Sequence, residues 1–239
     1  MTRIAIPARE RLIFAMDVPD ADAARRLAER LGDSVQFYKI GLELFMAGGY
    51  FELLDWLVGR GKKVFVDLKF FDVPATVASA VRNLTNRGVT YATVHGNQGI
   101  MEAAAAAKGD VKILAVTVLT SLDRGDLDDL GFSVDVEKLV LSRARRALEA
   151  GCDGVVSSGL EAPMLREHID HRLLVVTPGI RPVENRPSDD QKRVVNVEQA
   201  FANGADHIVV GRPIRDAADP RAAAEAIQAT IAGVFGGGR

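Results

Sequence analysis

The 239-residue chain is short of cysteine, of net charge and of long apolar runs, and each shortage excludes something. Its one cysteine, Cys152, has no partner for an internal disulfide, which suits a reducing compartment. Cys152 stands in Ala150-Gly151-Cys152-Asp153-Gly154, entering a predicted strand, and reads as a packed small apolar side chain rather than a nucleophile. Lysines and arginines number 30 against 32 acidic residues, a net charge of −2. No global field would therefore draw nucleic acid or an anionic membrane, and any phosphate site must be local. No apolar run reaches the roughly 18 residues that span a bilayer. Charges scattered from Met1 to Arg11 leave no apolar core for a signal peptide, so a cytoplasmic protein is expected. No G-x-G-x-x-G follows the first apolar run, which argues against a dinucleotide-binding doubly wound sheet. His168 and His171 lack nearby cysteines or a third ligand, and Asp126, Asp128 and Asp129 lack the spacing and terminal Glu of an EF-hand. No metal site is expected.

What remains is an ordinary globular composition, 48% hydrophobic and 26% charged, with length enough for a substantial core. Eight short apolar, β-branched runs recur: Leu12–Asp17, Val35–Ile40, Lys63–Lys69, Val89–His95, Val111–Leu119, Gly154–Ser157, Leu173–Thr177 and His207–Gly211. Amphipathic stretches separate them. Asp20–Leu31 carries an i, i+3, i+4, i+7 stripe of Ala21, Ala24, Leu27, Ala28 and Leu31, and Pro74–Arg87, Val136–Ala150 and Pro220–Phe235 behave similarly. Continuous apolar strands are those of a parallel sheet covered on both faces. Eight β/α units in about 240 residues is the size and count of a TIM barrel. The fold expected is one (β/α)8 barrel over residues 1–239. Asp123–Asp135, polar and glycine-containing, reads as a mobile loop after the fifth strand and a candidate lid.

Charge intrudes where such a barrel has its active site, at the C-terminal ends of the strands. In Val64-Phe65-Val66-Asp67-Leu68-Lys69-Phe70-Phe71-Asp72-Val73, alternation puts Phe65, Asp67 and Lys69 on one face, with Asp72 in the loop beyond. Buried charges are expensive unless paired, so a strand that ends in them has a use for them. Asp17 ends the first run, and Lys39 interrupts the second. His95 ends the fourth and reads as a hydrogen-bonded strand-end histidine, while Thr120-Ser121 follow the fifth. The last two units offer Gly179, Arg181, Gly211 and Arg212, in Pro178-Gly179-Ile180-Arg181-Pro182 and Gly211-Arg212-Pro213. Glycine admits a phosphate to backbone N–H groups, arginine supplies a permanent charged fork, and barrels bind phosphate in these two loops.

Taken together, these residues resemble the orotidine 5′-phosphate decarboxylase family. The resemblance runs from the first strand to the eighth, and Phe65-Val66-Asp67-Leu68-Lys69-Phe70-Phe71-Asp72 matches the family signature. Asp190-Gln191-Lys192-Arg193 is similar to its phosphate-gripping segment. The resemblance implies decarboxylation of orotidine 5′-monophosphate to uridine 5′-monophosphate, with no metal and no organic cofactor. It implies a network of Lys39, Asp67, Lys69 and Asp72, with Lys69 the proton donor to C6 and Asp67 beside the substrate carboxylate. Asp17 and Lys39 would hold ribose hydroxyls, Thr120 would line the site near the ribose, and Ser121 would contact the pyrimidine. Gln191, Gly211 and Arg212 would hold phosphate, with Arg181 close by. A homodimer is implied, with Asp72 and Thr76 reaching the neighbouring site.

The related 3-keto-L-gulonate 6-phosphate decarboxylases and hexulose-phosphate synthases share D-x-K-x-x-D. They bind magnesium through an acidic residue on the second strand, where this chain has Lys39. An ammonium there repels Mg²⁺ and contributes no oxygen ligand. A non-catalytic nucleotide-phosphate sensor on the same barrel would have lost one of Lys39, Asp67, Lys69 or Asp72, and all four are present.

Overall fold

The structure, a computed structural model, describes residues 5–122, 124–131, 133, 135–181 and 194–236. Its eight strands are β1 (Leu12–Ala15), β2 (Phe37–Gly41), β3 (Lys63–Phe70), β4 (Val89–His95), β5 (Lys112–Val116), β6 (Gly154–Val156), β7 (Leu174–Thr177) and β8 (His207–Val210). Each pairs in parallel with its sequence neighbours, and β8 returns to β1 through Leu12–Ile208, Ile13–Val209 and Phe14–Val210. The sheet is thus a closed (β/α)8 barrel, as expected, with helices between strands.

Most expected elements recur with trimmed ends. The run Val111–Leu119 contributes a strand only to Val116. Beyond it the Thr117 hydroxyl donates to the Val156 carbonyl (3.0 Å) and the chain leaves the ladder for the barrel mouth. The helix after β3 stops at Arg82 rather than Arg87, because the Thr85 hydroxyl donates to the Arg82 carbonyl and Asn86 turns left-handed (φ 62°). Asp123–Asp135 is not simply a loop. It holds a helix, Arg124–Asp129, closed by an Arg124–Asp128 ion pair one turn apart and pinned by buried Leu127. Asp123 itself lies outside the described residues.

Alternation along the strands divides the core in two. Ile13, Ala15, Phe37, Phe65, Tyr91, Leu114, Leu174, Val176 and Val209 fill the barrel interior. The other faces, among them Leu12, Phe14, Tyr38, Val64, Val66 and Ala92, pack under the helices. Space inside is short: a Cβ on Gly154 would lie 2.6 Å from Leu174 Cβ and 2.8 Å from Leu114 Cδ2. Cys152 is buried, and burial pushes its thiol up to about 12, so it stays a protonated packing group.

The floor is closed by His207. Its Nδ1 lies 3.0 Å from the Glu10 carbonyl, which can only accept, so Nδ1 carries the proton. Nε2 then accepts from the Tyr91 hydroxyl at 2.9 Å. Both ring nitrogens are satisfied in the neutral form, and burial holds the pKa down to about 4. In an unfolded chain a histidine titrates near about 6.5. Between those values the unfolded state binds the proton and the native state does not, so stability falls as pH falls through that window, by at most about 3 kcal/mol. The imidazole carbon-bound proton shifts of His207 should hold their neutral values down to about pH 4, and His207→Gln should flatten the urea midpoint between pH 6.5 and 4.5. Titration near 6.5 would contradict the buried neutral ring.

Candidate active site

The other end of the barrel opens into a cavity of about 550 Å³. Asp17, Lys39, Asp67, Lys69, Thr120, Ser121, Arg181, Gly211 and Arg212 all line it, on a base that includes the interior residues Phe65 and Val209. Residues far apart in the chain meet because each sits at or just past a strand's C-terminal end.

Asp67 is the centre of the charged side. Its Oδ2 lies 3.0 Å from Lys69 Nζ and 3.4 Å from Lys39 Nζ, and Lys39 in turn lies 3.2 Å from Asp17 Oδ1. Oδ1 accepts from the Thr93 hydroxyl at 2.8 Å. Burial alone would raise the Asp67 carboxyl. The ammoniums of Lys39 and Lys69, then hydrogen bonds from Lys69 and Thr93, overcome it and hold the carboxyl below the ordinary carboxylate range. Burial would likewise depress Lys39, but Asp67 and Asp17 outweigh it and raise its pKa. Asp67 is an anion and Lys39 a cation across the working pH range.

Simple alternation puts Asp67 and Lys69 on one face, and they do share the cavity, but not through a regular strand. Val66 pairs with Ala92 and Phe70 with Val94, so three residues of β3 face one of β4. Lys69 takes a left-handed conformation (φ 47°) inside this bulge. A non-glycine residue there carries a strain of about 1–2 kcal/mol.

Across the mouth, Gly179 makes the turn after β7 at φ 76°, and the Arg181 N–H donates to the Val195 carbonyl at 3.0 Å. Gly211 stands where a Cβ would press on Ala15 Cβ at 3.3 Å, and Arg212 begins the helix Arg212–Arg215. Glycine backbone and guanidinium groups face one cavity from the last two β/α units, a setting suited to a dianion.

Asp72 and Thr76 are exposed in this chain and do not line its cavity; Asp72 Oδ1 accepts from the Val73 N–H at 2.6 Å. Gln191 lies outside the described residues, as do Pro182, Asp190, Lys192 and Arg193. The His95 ring makes no hydrogen bond among the described residues. The chain leaving the β3 bulge lays Phe71 against its ring at 4.5 Å instead, and burial, then Arg143 and Lys69, lower its pKa. Sequence reasoning missed Glu43 and Arg215, which line the cavity, and Thr93, which contacts Asp67. Arg215 donates to the Asp17 carbonyl at 2.7 Å and so ties the segment after β1 to the helix after β8. A cation one helical turn beyond Arg212, and a hydroxyl two residues after interior Tyr91, were the available signals.

Known proteins bear on this geometry directly. The family model described as orotidine 5′-phosphate decarboxylase / HUMPS matches residues 10–227. The chain belongs to that family. It is 70% identical over 233 residues to the orotidine 5′-phosphate decarboxylase of Methylococcus capsulatus, covering 98% of this chain and 96% of the relative. The Xanthomonas campestris pv. campestris protein of the same name is 55% identical over 235 residues, covering 97% and 96%. The crystal structure of the Lactobacillus acidophilus orotidine 5′-phosphate decarboxylase superposes with a TM-score of 0.82 at 35% identity, covering 93% and 99%. Like these relatives, the family member described here is an enzyme of the carboxy-lyase class.

The charge array also carries stability. Asp67→Ala would leave buried Lys39 to Asp17 alone and remove the partner of Lys69. Breaking a buried pair in this way costs about 3 kcal/mol, read as a lower urea midpoint at pH 7. A midpoint equal to that of the unaltered chain would show that the array contributes no net stability.

Proposed function

We propose that the protein converts orotidine 5′-monophosphate to uridine 5′-monophosphate and CO₂, the last step of de novo UMP synthesis, without metal or organic cofactor. The observation that carries this reading is the Lys39–Asp67–Lys69 array facing Arg181 and Arg212 across one cavity, in a chain of the orotidine 5′-phosphate decarboxylase family. The phosphate would lie at Gly211, Arg212 and Arg181 with Gln191, the ribose hydroxyls at Asp17 and Lys39, with Thr120 alongside, and the pyrimidine against Ser121. The C6–carboxylate bond breaks and its electron pair stays on C6 as CO₂ leaves. The Lys69 ammonium then gives its proton to C6 and is reprotonated from water. An ammonium held by Asp67 beside the developing carbanion stabilises it without reorganising. Lys39, paired to two carboxylates, sits where a divalent cation would need oxygen ligands, which favours chemistry without one.

Magnitudes divide the labour. A substrate carboxylate about 4 Å from Asp67 would be repelled by about 4 kcal/mol at an effective dielectric near 20. Proton donation contributes roughly 10²–10⁴-fold. Enzymes commonly lower barriers by about 8–23 kcal/mol, so most must come from preorganised charge and from binding energy at the remote phosphate.

Asp72 and Thr76 enter this reading through a second copy. They lie beside exposed Phe71 (66%) and Val73 (62%), and Leu42 (57%) and Met46 (77%) are exposed on the helix after β2. Apolar side chains concentrated at one rim of the mouth suit burial in a homodimer that brings Asp72 to the neighbouring Lys39–Asp67–Lys69 array.

Absorbance of purified protein with orotidine 5′-monophosphate and excess EDTA should fall as uridine 5′-monophosphate appears, and Lys69→Ala should abolish turnover while remaining folded. Turnover only of a sugar-phosphate keto acid, and only with Mg²⁺, would overturn the reading. Shared sites make a second test. Lys69→Ala and Asp72→Ala proteins, each inactive, should regain about a quarter of the normal activity when mixed and allowed to exchange subunits, since half the dimers hold one intact site. No recovery despite proven exchange would remove Asp72 from the neighbouring site.

A further inference from the structure

Thr93 has no part in the roles assigned so far, yet it is the one residue of β4 opposite the β3 bulge. Asp67, Leu68 and Lys69 stand between the Val66–Ala92 and Phe70–Val94 pairs, and Thr93 faces all three. It is wholly buried, two residues above Tyr91 of the barrel interior. Its hydroxyl does two things at once: it accepts the Lys69 backbone N–H at 3.0 Å and donates to Asp67 Oδ1 at 2.8 Å.

We propose that the Thr93 hydroxyl is a positioning group that aims Asp67 and Lys69 at each other and at the substrate, an inference that rests on the decarboxylase reading. Both ammoniums approach a single carboxylate oxygen, Oδ2. Without Thr93, Oδ1 would be a buried acceptor with nothing to hold it, and the torsion that turns an Asp carboxylate is soft. The group would rotate, and the two ammoniums would lose their common anchor. The same oxygen of Thr93 caps the N–H of Lys69, whose left-handed backbone has left the regular ladder. A strained residue persists only where its surroundings over-determine it. Thr93 thus fixes the carboxylate through its proton and the lysine backbone through its lone pair.

The test compares three variants with the unaltered enzyme. Thr93→Val keeps shape and burial but loses the hydroxyl; Thr93→Ser keeps it; Thr93→Ala lacks it without the γ-methyls of valine. Misplacing a reacting group by a fraction of an ångström to 1 Å costs roughly 10- to 100-fold, so kcat of Thr93→Val should fall by about that factor with KM changed less than about threefold. Thr93→Ser should recover to within about threefold. The acid limb of kcat should also move to higher pH in Thr93→Val, because the Asp67 anion loses a hydrogen bond. Thr93→Val with kcat within about twofold of the unaltered enzyme, or Thr93→Ser as impaired as Thr93→Val, would overturn the inference. Should Thr93→Val not fold, Thr93→Ser against Thr93→Ala decides by the same criteria. Unaltered enzyme that leaves orotidine 5′-monophosphate intact would defeat the functional reading and this inference together; active enzyme matched by Thr93→Val defeats this inference alone.

Discussion

One carboxylate shared by two ammoniums organises the open end of this barrel. Asp67 Oδ2 holds Lys69 and Lys39, and Lys39 reaches on to Asp17, so side chains from β2, β3 and the segment after β1 are joined in one chain of charge. None of these groups could be left in an apolar barrel alone. Their mutual attraction lets buried Asp67 and Lys39 stay ionised, and Lys69 joins them from an irregular stretch of backbone. Lys69 reaches Asp67 from a bulge that a regular strand would not contain, at a backbone angle that ordinary side chains avoid.

The central polar residues at the two ends of the barrel reach opposite charge states. At the floor, burial keeps His207 neutral between one donor and one acceptor contact, while buried Asp206 beside it is paired with Arg166. At the mouth, burial is offset by opposite charges at about 3 Å, and the groups stay ionised. Between them lies an apolar interior of Phe37, Phe65, Tyr91 and Leu114. That layer keeps the charged end anchored to a rigid base, so small side-chain torsions rather than strand movement set the geometry of Asp67 and Lys69.

Much of this was legible because parallel barrel strands are buried on both faces. The resulting β-branched runs stand out, and a charge inside one, such as Lys39 or Asp67, stands out further. Arg181 and Gly211-Arg212 were legible as glycine–cation pairs in successive final units. What escaped depends on contacts between segments. The bulge at Lys69 needs Thr93 from the next strand, and no pattern within β3 announces it. His95 looked like a hydrogen-bonding residue until the course of the bulge laid Phe71 on it. The helix Arg124–Asp129 hides among aspartates and a glycine because one ion pair and one buried leucine, rather than a stripe, hold it.

The charge count gives the proposed reaction a reason to divide binding and chemistry between opposite sides of the cavity. Asp17, Lys39, Asp67 and Lys69 sum to zero, so this side offers an anionic substrate no surplus attraction. In the proposed dimer, Asp72 would make it net negative. The arginines contributed by the final two units lie at the other side, where a phosphate can be held without touching the reacting carbon. An interaction made equally in ground and transition states cannot by itself speed a reaction, but it can force a carboxylate into a site that does not welcome it. In the proposed reaction, loss of CO₂ would then remove the unwelcome charge and leave a carbanion facing Lys69. In the proposed reaction, a charge array whose members cannot relax, coupled to a distant cationic grip, would direct binding energy to the step where charge moves.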